Sequence, residues 1–198
     1  MKVADSLKPI AKLIENAQDQ QQGPIGSHKP TILCIACSDA RTDPQYWFKT
    51  MVNQMFVIRT PGNVVPAYQT KVPCGVTAGI VYAIEYLKVK QCILMGHTDC
   101  GGVNHCYTTQ AHASNPTMTN WMSQLSNQPQ DLEETQDGLR SKALLLKSYQ
   151  HLLLYPSVKS YMDEKKLNCH ILLNQVNGKG LEYYDFSKSE FAPCMSDQ

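Results

Sequence analysis

No run of apolar residues in this 198-residue chain approaches the roughly 18 that a membrane span needs, and the opening MKVADSLKPIAKLIENAQ interrupts its apolar positions with charged and polar ones, unlike a secretory leader. Charge of one sign is missing too. The 18 Lys and Arg are matched by 17 Asp and Glu, a net charge of +1, which excludes the basic field of a nucleic-acid binder and the acidic tail of a solvating protein. The expectation is a soluble cytoplasmic protein with no nucleic-acid and no membrane partner, so its partner must be argued from a site. Cysteine, by contrast, is plentiful. The eight residues at 34, 37, 74, 92, 100, 106, 169 and 194 lie partly inside apolar, strand-like runs, which favours reduced, buried or metal-bound thiols over a disulfide framework.

Residues 4–22 space Leu7, Ile10, Leu13 and Ile14 as an amphipathic helix does, predicting a helical arm, and Gly23 to Pro30 reads as loop. Thr31 to Cys37 is a short, continuously apolar run, the pattern of a parallel strand covered on both faces. Met55 to Arg59 reads as a second strand, and Gln91 to Met95 as a third. Between them, Val76, Ile80, Ala83, Ile84 and Leu87 share one side of a helix. Strand, helix and strand in this order imply parallel pairing through a right-handed crossover. From Asn104 to Gln136 the chain is polar around a short helix at Met118 to Leu125, and residues 137–165 resume a helical pattern broken at Tyr155-Pro156. Two last strands, Lys166 to Leu173 and Gly180 to Tyr184, are joined through the turn signal Asn177-Gly178. The expected fold is α/β, a central and mainly parallel β-sheet flanked by helices with an N-terminal helical arm. It forms one domain over 1–198, with arm and loop at 1–29, a core at 30–103 and C-terminal helices and strands at 104–198.

His97 and Cys100 follow the strand at 91–95 at its carboxyl end, where open α/β sheets build their sites. Cys37-Ser-Asp-Ala-Arg41 closes the strand 31–37 in the same way. If the two strands are neighbours in one parallel sheet, Cys37, His97 and Cys100 converge at one edge. Two thiolates and one imidazole suit zinc, and three protein ligands leave a fourth position open, as in catalytic sites. Asp39 either takes that fourth position or stands off the metal, and Arg41 can grip its carboxylate with a bidentate fork that holds it off. The plainer alternative for this pair is an ordinary surface ion pair. Cys34-Ile-Ala-Cys37 has redox-motif spacing, but residues three apart in a strand face opposite sides. His105 and Cys106 read as bystanders in a polar loop.

In these features the chain resembles the β-class carbonic anhydrases. Cys37-x-Asp39-x-Arg41, Phe56-Val-Ile-Arg59 followed by Pro61-Gly-Asn63, Tyr82-Ala-Ile-Glu-Tyr-Leu87 and Gly96-His97-x-x-Cys100-Gly-Gly-Val103 stand in that family's order and spacing, with fainter matches at Trp121, Tyr155-Pro156 and Asn177-Gly-Lys179. The resemblance implies Zn2+ as cofactor on Cys37, His97 and Cys100, with Asp39 a ligand only in a closed form. It implies Asp39 and Arg41 as the catalytic dyad and reversible hydration of CO2 to bicarbonate by attack of zinc-bound hydroxide. It also implies a homodimer, tetramer or higher even homo-oligomer exchanging N-terminal arms. Phe56 and Tyr82 would wall the CO2 pocket, or else are ordinary core aromatics. Gly101 and Gly102 either help hold bicarbonate or simply make a turn.

The departures set further expectations. His28 stands where many members have glutamine, as a substrate hydrogen-bond donor, a proton relay or an exposed loop residue. Thr60 replaces a frequent asparagine, and His170-Ile-Leu-Leu-Asn174 replaces the usual last-strand pattern, which bears on pocket shape and dimer packing. Cys34 occupies the place where bicarbonate-inhibited members carry tryptophan, so the open, water-bound form is expected. The competing readings are a CS2 or COS hydrolase on the same scaffold and a non-catalytic zinc-binding protein. The intact Asp39 and Arg41 argue against the second.

Overall fold

The computed structural model describes residues 26–50, 53–72, 74–107, 116–124, 138–178 and 180–194. The helical arm expected over 4–22 lies outside the described residues. Six strands form one sheet: β1 (Ile32–Cys37), β2 (Met55–Thr60), β3 (Gln91–His97), β4 (Asn168–Gln175), β5 (Gly180–Asp185) and β6 (Glu190–Pro193). The order is β2-β1-β3-β4-β5-β6. The first four run parallel, β5 turns back antiparallel to β4 and β6 turns again antiparallel to β5, so the sheet is mixed with a parallel core.

The apolar run of β1 is explained by its place at the centre of that core. Leu33, Cys34, Ile35 and Ala36 have no exposed surface, because both faces of the strand are covered. Leu33 and Ile35 face a core with Ile80, Ala83, Ile84, Leu94, Leu145 and Ile171, while Cys34 and Ala36 pack on the other face with Met55 and Met95. Full burial of a side chain the size of Leu or Ile stabilises by about 1.5–3 kcal/mol.

The helices are α1 (Pro44–Trp47), α2 (Gly75–Val81), α3 (Gly101–Tyr107), α4 (Pro116–Ser123), α5 (Leu139–Leu152) and α6 (Pro156–Asp163). Pro156 begins α6 at the break expected from Tyr155-Pro156. The periodic segment 76–87 is α-helical only to Val81 and continues as a π turn over Tyr82–Tyr86. Periodicity does not separate these two helix types, because Ile80 of the α-helical part and Ala83 and Ile84 of the π turn are buried in one core cluster. Neither α1 nor β6 was expected, and α3 continues through Tyr107 where a polar loop was expected from Asn104. Among the described residues no helix is long and apolar enough to cross a membrane.

Two glycines are demanded by packing around β3. A Cβ on Gly96 would stand 2.7 Å from Leu145 of α5, and one on Gly138 would stand 2.6 Å from Thr98. Their bareness lets α5 lie close on the end of β3. Chain order also locates the site. From β1 the chain leaves to β2 on one side, then crosses to β3 on the other, so the crevice between the carboxyl ends of β1 and β3 is the topological switch point where α/β sheets bind ligands.

Candidate metal centre

Cys37 ends β1 and His97 ends β3, two adjacent strands pointing the same way, so strand pairing alone brings these residues to the switch-point crevice. Cys100 arrives one turn later, just before α3. All three are buried, and their ligand atoms lie within 4.8 Å of one another, with the sulfurs of Cys37 and Cys100 3.6 Å apart. Two sulfurs bound to one tetrahedral zinc at about 2.3 Å would stand about 3.8 Å apart, so the spacing fits that ion.

The imidazole fits too. His97 Nδ1 lies 2.9 Å from the Thr98 carbonyl oxygen. A carbonyl can only accept, so Nδ1 carries the proton, and it is Nε2 that a neutral imidazole would offer to a metal. Nε2 is completely buried and has no hydrogen-bond partner among the described residues. An orphaned lone pair beside two sulfurs is costly unless a cation takes it up.

The two sulfurs are in hydrogen-bond contact and shift each other in opposite directions. The hydrogen bond from Cys100, helped by the Asp39 backbone N–H, lowers the Cys37 thiol against the opposing effect of burial. That same contact, with burial, pushes Cys100 up. A cation replaces that shared proton when it binds. Cys34 behaves differently. Burial raises its thiol to about 12 and it sits on the opposite face of β1, so the Cys34/Cys37 spacing carries no redox chemistry.

The acid at position 39 is held from one side. Arg41 donates from Nε to Asp39 Oδ1 at 3.0 Å and from Nη2 to Oδ2 at 2.8 Å, and its backbone N–H adds a third bond to Oδ1 at 2.9 Å. These bonds hold the Asp39 carboxyl well below the usual carboxylate range. Its Oδ2 lies 3.9 Å from His97 Nε2, beside the ligand group and outside it.

Two residues of this site escaped the sequence reading. Arg59, from β2, donates from Nε to Cys37 O at 3.0 Å, from Nη2 to Asp39 O at 2.6 Å and from Nη1 to Asp43 Oδ2 at 3.0 Å, clamping the loop that carries Cys37 and Asp39. Asp99 receives Arg41 Nη1 on Oδ2 at 3.0 Å and Nη2 on its carbonyl at 3.0 Å. The only sequence cue for Asp99 is its position between two ligands. For Arg59 it is its place at the end of the Phe56-Val-Ile-Arg59 motif, which carried no assigned role.

The glycine alternatives divide. A Cβ on Gly102 would meet the Gly62 backbone nitrogen at 2.9 Å, so Gly102 is there for close approach of α3 to the Pro61–Asn63 turn. Gly101 is exposed, with open space where a Cβ would be.

The remaining expected pocket residues assemble elsewhere. His28 and Phe56 have ring centroids 6.0 Å apart, as do Phe56 and Tyr82, and Tyr82 stacks on Tyr86 at 5.6 Å. Phe56 pairs with Leu33, four residues down the sheet from the Cys37–Thr60 pair, or about 13 Å at strand rise. The strand thus carries Phe56 down the sheet from the carboxyl edge that holds the metal ligands, and His28 and Tyr82 pack against it there. Tyr82 is not an ordinary core aromatic, being 44% exposed. The side chains of His105 and Cys106 lie outside the described residues.

A family model for carbonic anhydrase matches residues 32–179. The chain is 27% identical over 176 residues to carbonic anhydrase 1 of Escherichia coli O157:H7, covering 85% of this chain and 80% of that one. It is 26% identical over 207 residues to a carbonic anhydrase of Synechocystis, covering 94% and 75%. Among solved structures, the β-carbonic anhydrase CcaA superposes with a TM-score of 0.80 at 24% identity, over 94% of this chain and all of that one. A tetrameric β-carbonic anhydrase from Sordaria macrospora gives 0.68 at 23% identity, over 90% and 93%.

Proposed function

The chain belongs to the carbonic anhydrase family, and from that membership we infer that it catalyses the reversible hydration of CO2 to bicarbonate and a proton with zinc as cofactor. One observation carries the assignment to particular residues: Cys37 Sγ, His97 Nε2 and Cys100 Sγ converge within 4.8 Å, with the Arg41-held carboxylate of Asp39 beside them. These three side chains would hold the ion. Zinc bound by such ligands lowers the pKa of a water to about 7 and supplies a hydroxide nucleophile at neutral pH.

The protein's own groups do the rest. Asp39, ionised and fixed by three hydrogen bonds, accepts a hydrogen bond from the nucleophile and so aims its lone pair at the CO2 carbon. Arg41 keeps that carboxylate from turning toward the ligands. The Nδ1–H bond to Thr98 fixes the His97 ring with Nε2 toward the sulfurs. Arg59 keeps Cys37 and Asp39 in register through their carbonyls. Gly101, exposed beside Cys100, offers its backbone N–H to a bicarbonate oxygen, and Gly102 serves the packing that positions it. Stopped-flow CO2 hydration with zinc analysis tests the reading. One zinc per chain with rapid hydration is expected, and a zinc-replete protein that does not hydrate CO2 overturns it.

His28, Phe56 and Tyr82 belong in this reading to the pocket of a second copy, in a homodimer or a higher even assembly. Support comes from their distance from their own metal centre and from the exposure of the stacked Tyr82 and Tyr86, at 44% and 71%, an aromatic surface that a partner would cover. Mixing two crippled chains checks this. Cys37→Ser removes one chain's metal, and Phe56→Ala with Tyr82→Ala lowers the other's activity by about tenfold through a mispositioned substrate. Co-expression should restore hydration above that of either variant alone, because the hybrid dimer holds one complete site. A mixture no more active than its parts would return the aromatics to a role within one chain. Free thiols at all seven described cysteines support a reducing, cytoplasmic setting.

A further inference from the structure

Arg41 spends its guanidinium on two carboxylates at once. One edge, Nε and Nη2, is committed to Asp39, while Nη1 reaches Asp99 Oδ2 and Nη2 also reaches the Asp99 carbonyl. The Asp99 carbonyl shares Nη2 with Asp39 and so lies on the edge about which the fork can pivot, whereas the Asp99 carboxylate holds Nη1 on the far side and stops that pivot. Packing does not supply the second restraint. The Arg41 side chain is half exposed, and that of Asp99 is 71% exposed. Nor is there distance to spare, since Asp39 Oδ2 is already 3.9 Å from His97 Nε2. A modest rotation of a loosened Asp39 would carry its carboxylate among the metal ligands.

We propose that Asp99 is a positioning residue, whose carboxylate anchors the outer side of Arg41 and thereby keeps Asp39 on Arg41 and out of the metal's coordination shell. The proposal rests on the zinc-dependent reading above. A simpler account exists for the residue type. Asp99 has φ +54, a left-handed conformation that aspartate, asparagine and glycine tolerate better than other residues. That account requires only the backbone conformation, and Asn or Gly satisfies it equally. It gives the carboxylate nothing to do.

The experiment uses that difference. Wild type, Asp99→Asn, Asp99→Gly and the double variant Asp39→Ala/Asp99→Gly are prepared with cobalt(II) in place of zinc, and azide is titrated against the visible absorption of the metal. Azide enters only where a protein carboxylate does not already hold the position. The wild type should respond at low azide. The midpoint should rise in Asp99→Asn, whose amide oxygen still accepts one hydrogen bond, and rise further, by about tenfold, in Asp99→Gly. Removing Asp39 in the double variant should bring the midpoint back to the wild-type value, which a general distortion of the site would not do. Equal midpoints in wild type, Asp99→Asn and Asp99→Gly overturn the proposal, as does a wild type insensitive to azide or a double variant that stays shifted. None of these readings requires turnover, so failure of the wild type to hydrate CO2 would count against the function and leave the role of Asp99 to the titration.

Discussion

Asp39→Asn is expected to retain one zinc per chain and to lose CO2 hydration by about 100-fold or more, the range by which a positioned proton-accepting group contributes. The amide is nearly isosteric, and the ligand group of Cys37, His97 and Cys100 does not include position 39. What changes is the acceptor. In the wild type Arg41 holds the carboxyl below its ordinary value, so it is an anion throughout the neutral range and acts as a hydrogen-bond acceptor. Asparagine offers one acceptor oxygen and must turn an NH2 either toward Arg41, where two donors would meet, or toward the nucleophile, where it cannot accept. Zinc analysis and stopped-flow kinetics together check this, and undiminished turnover in a zinc-replete variant would remove Asp39 from the reaction. The sign of the wild-type pH effect follows from the same shift. A carboxyl with a depressed folded pKa contributes stability that is present above its unfolded value of about 3.9. That contribution is lost as pH falls through the folded value, so the Asp39–Arg41 pair supports the loop at neutral pH and ceases to in strong acid.

Cys37→Ser is expected to abolish both metal and activity. Serine keeps the volume but replaces a thiol that its Cys100 contact already lowers with a hydroxyl that stays protonated, and a protonated ligand cannot bind the ion. Hydration should fall to the buffer rate, since no side chain left in the crevice replaces the Lewis acid in an acceleration of the order of 10^6-fold or more. Thermal melts supply an independent check. Added zinc should raise the wild-type melting temperature, because it binds the folded chain, and should leave that of Cys37→Ser unmoved. A variant that kept stoichiometric zinc would show that Cys37 is not a ligand.

The ligand set is legible in the amino-acid sequence because each ligand is tied by a few bonds to a strand that announces itself. Continuous apolar runs mark β1 and β3 as buried parallel strands, and residues just past their carboxyl ends must lie at one edge once the strands pair. The Asp39–Arg41 contact is legible for the same reason, being closed within three residues of chain. Strand β6 is not, because its four residues carry no apolar alternation and pair only because β5 presents an edge.

Sequence by itself determined the donor types, their spacing along the chain and the strand ends that carry them, since these follow from local pattern and covalent connection. Only the tertiary structure decided what each neighbour of the ligands does. It brought Asp99 to Arg41 across 58 residues and Arg59 to Cys37 across 22, gave Gly102 to packing against Gly62, and set Phe56 down the sheet from the metal centre. Such contacts depend on register and on which elements cross, and a non-local distance leaves no periodic mark in the residues at its two ends.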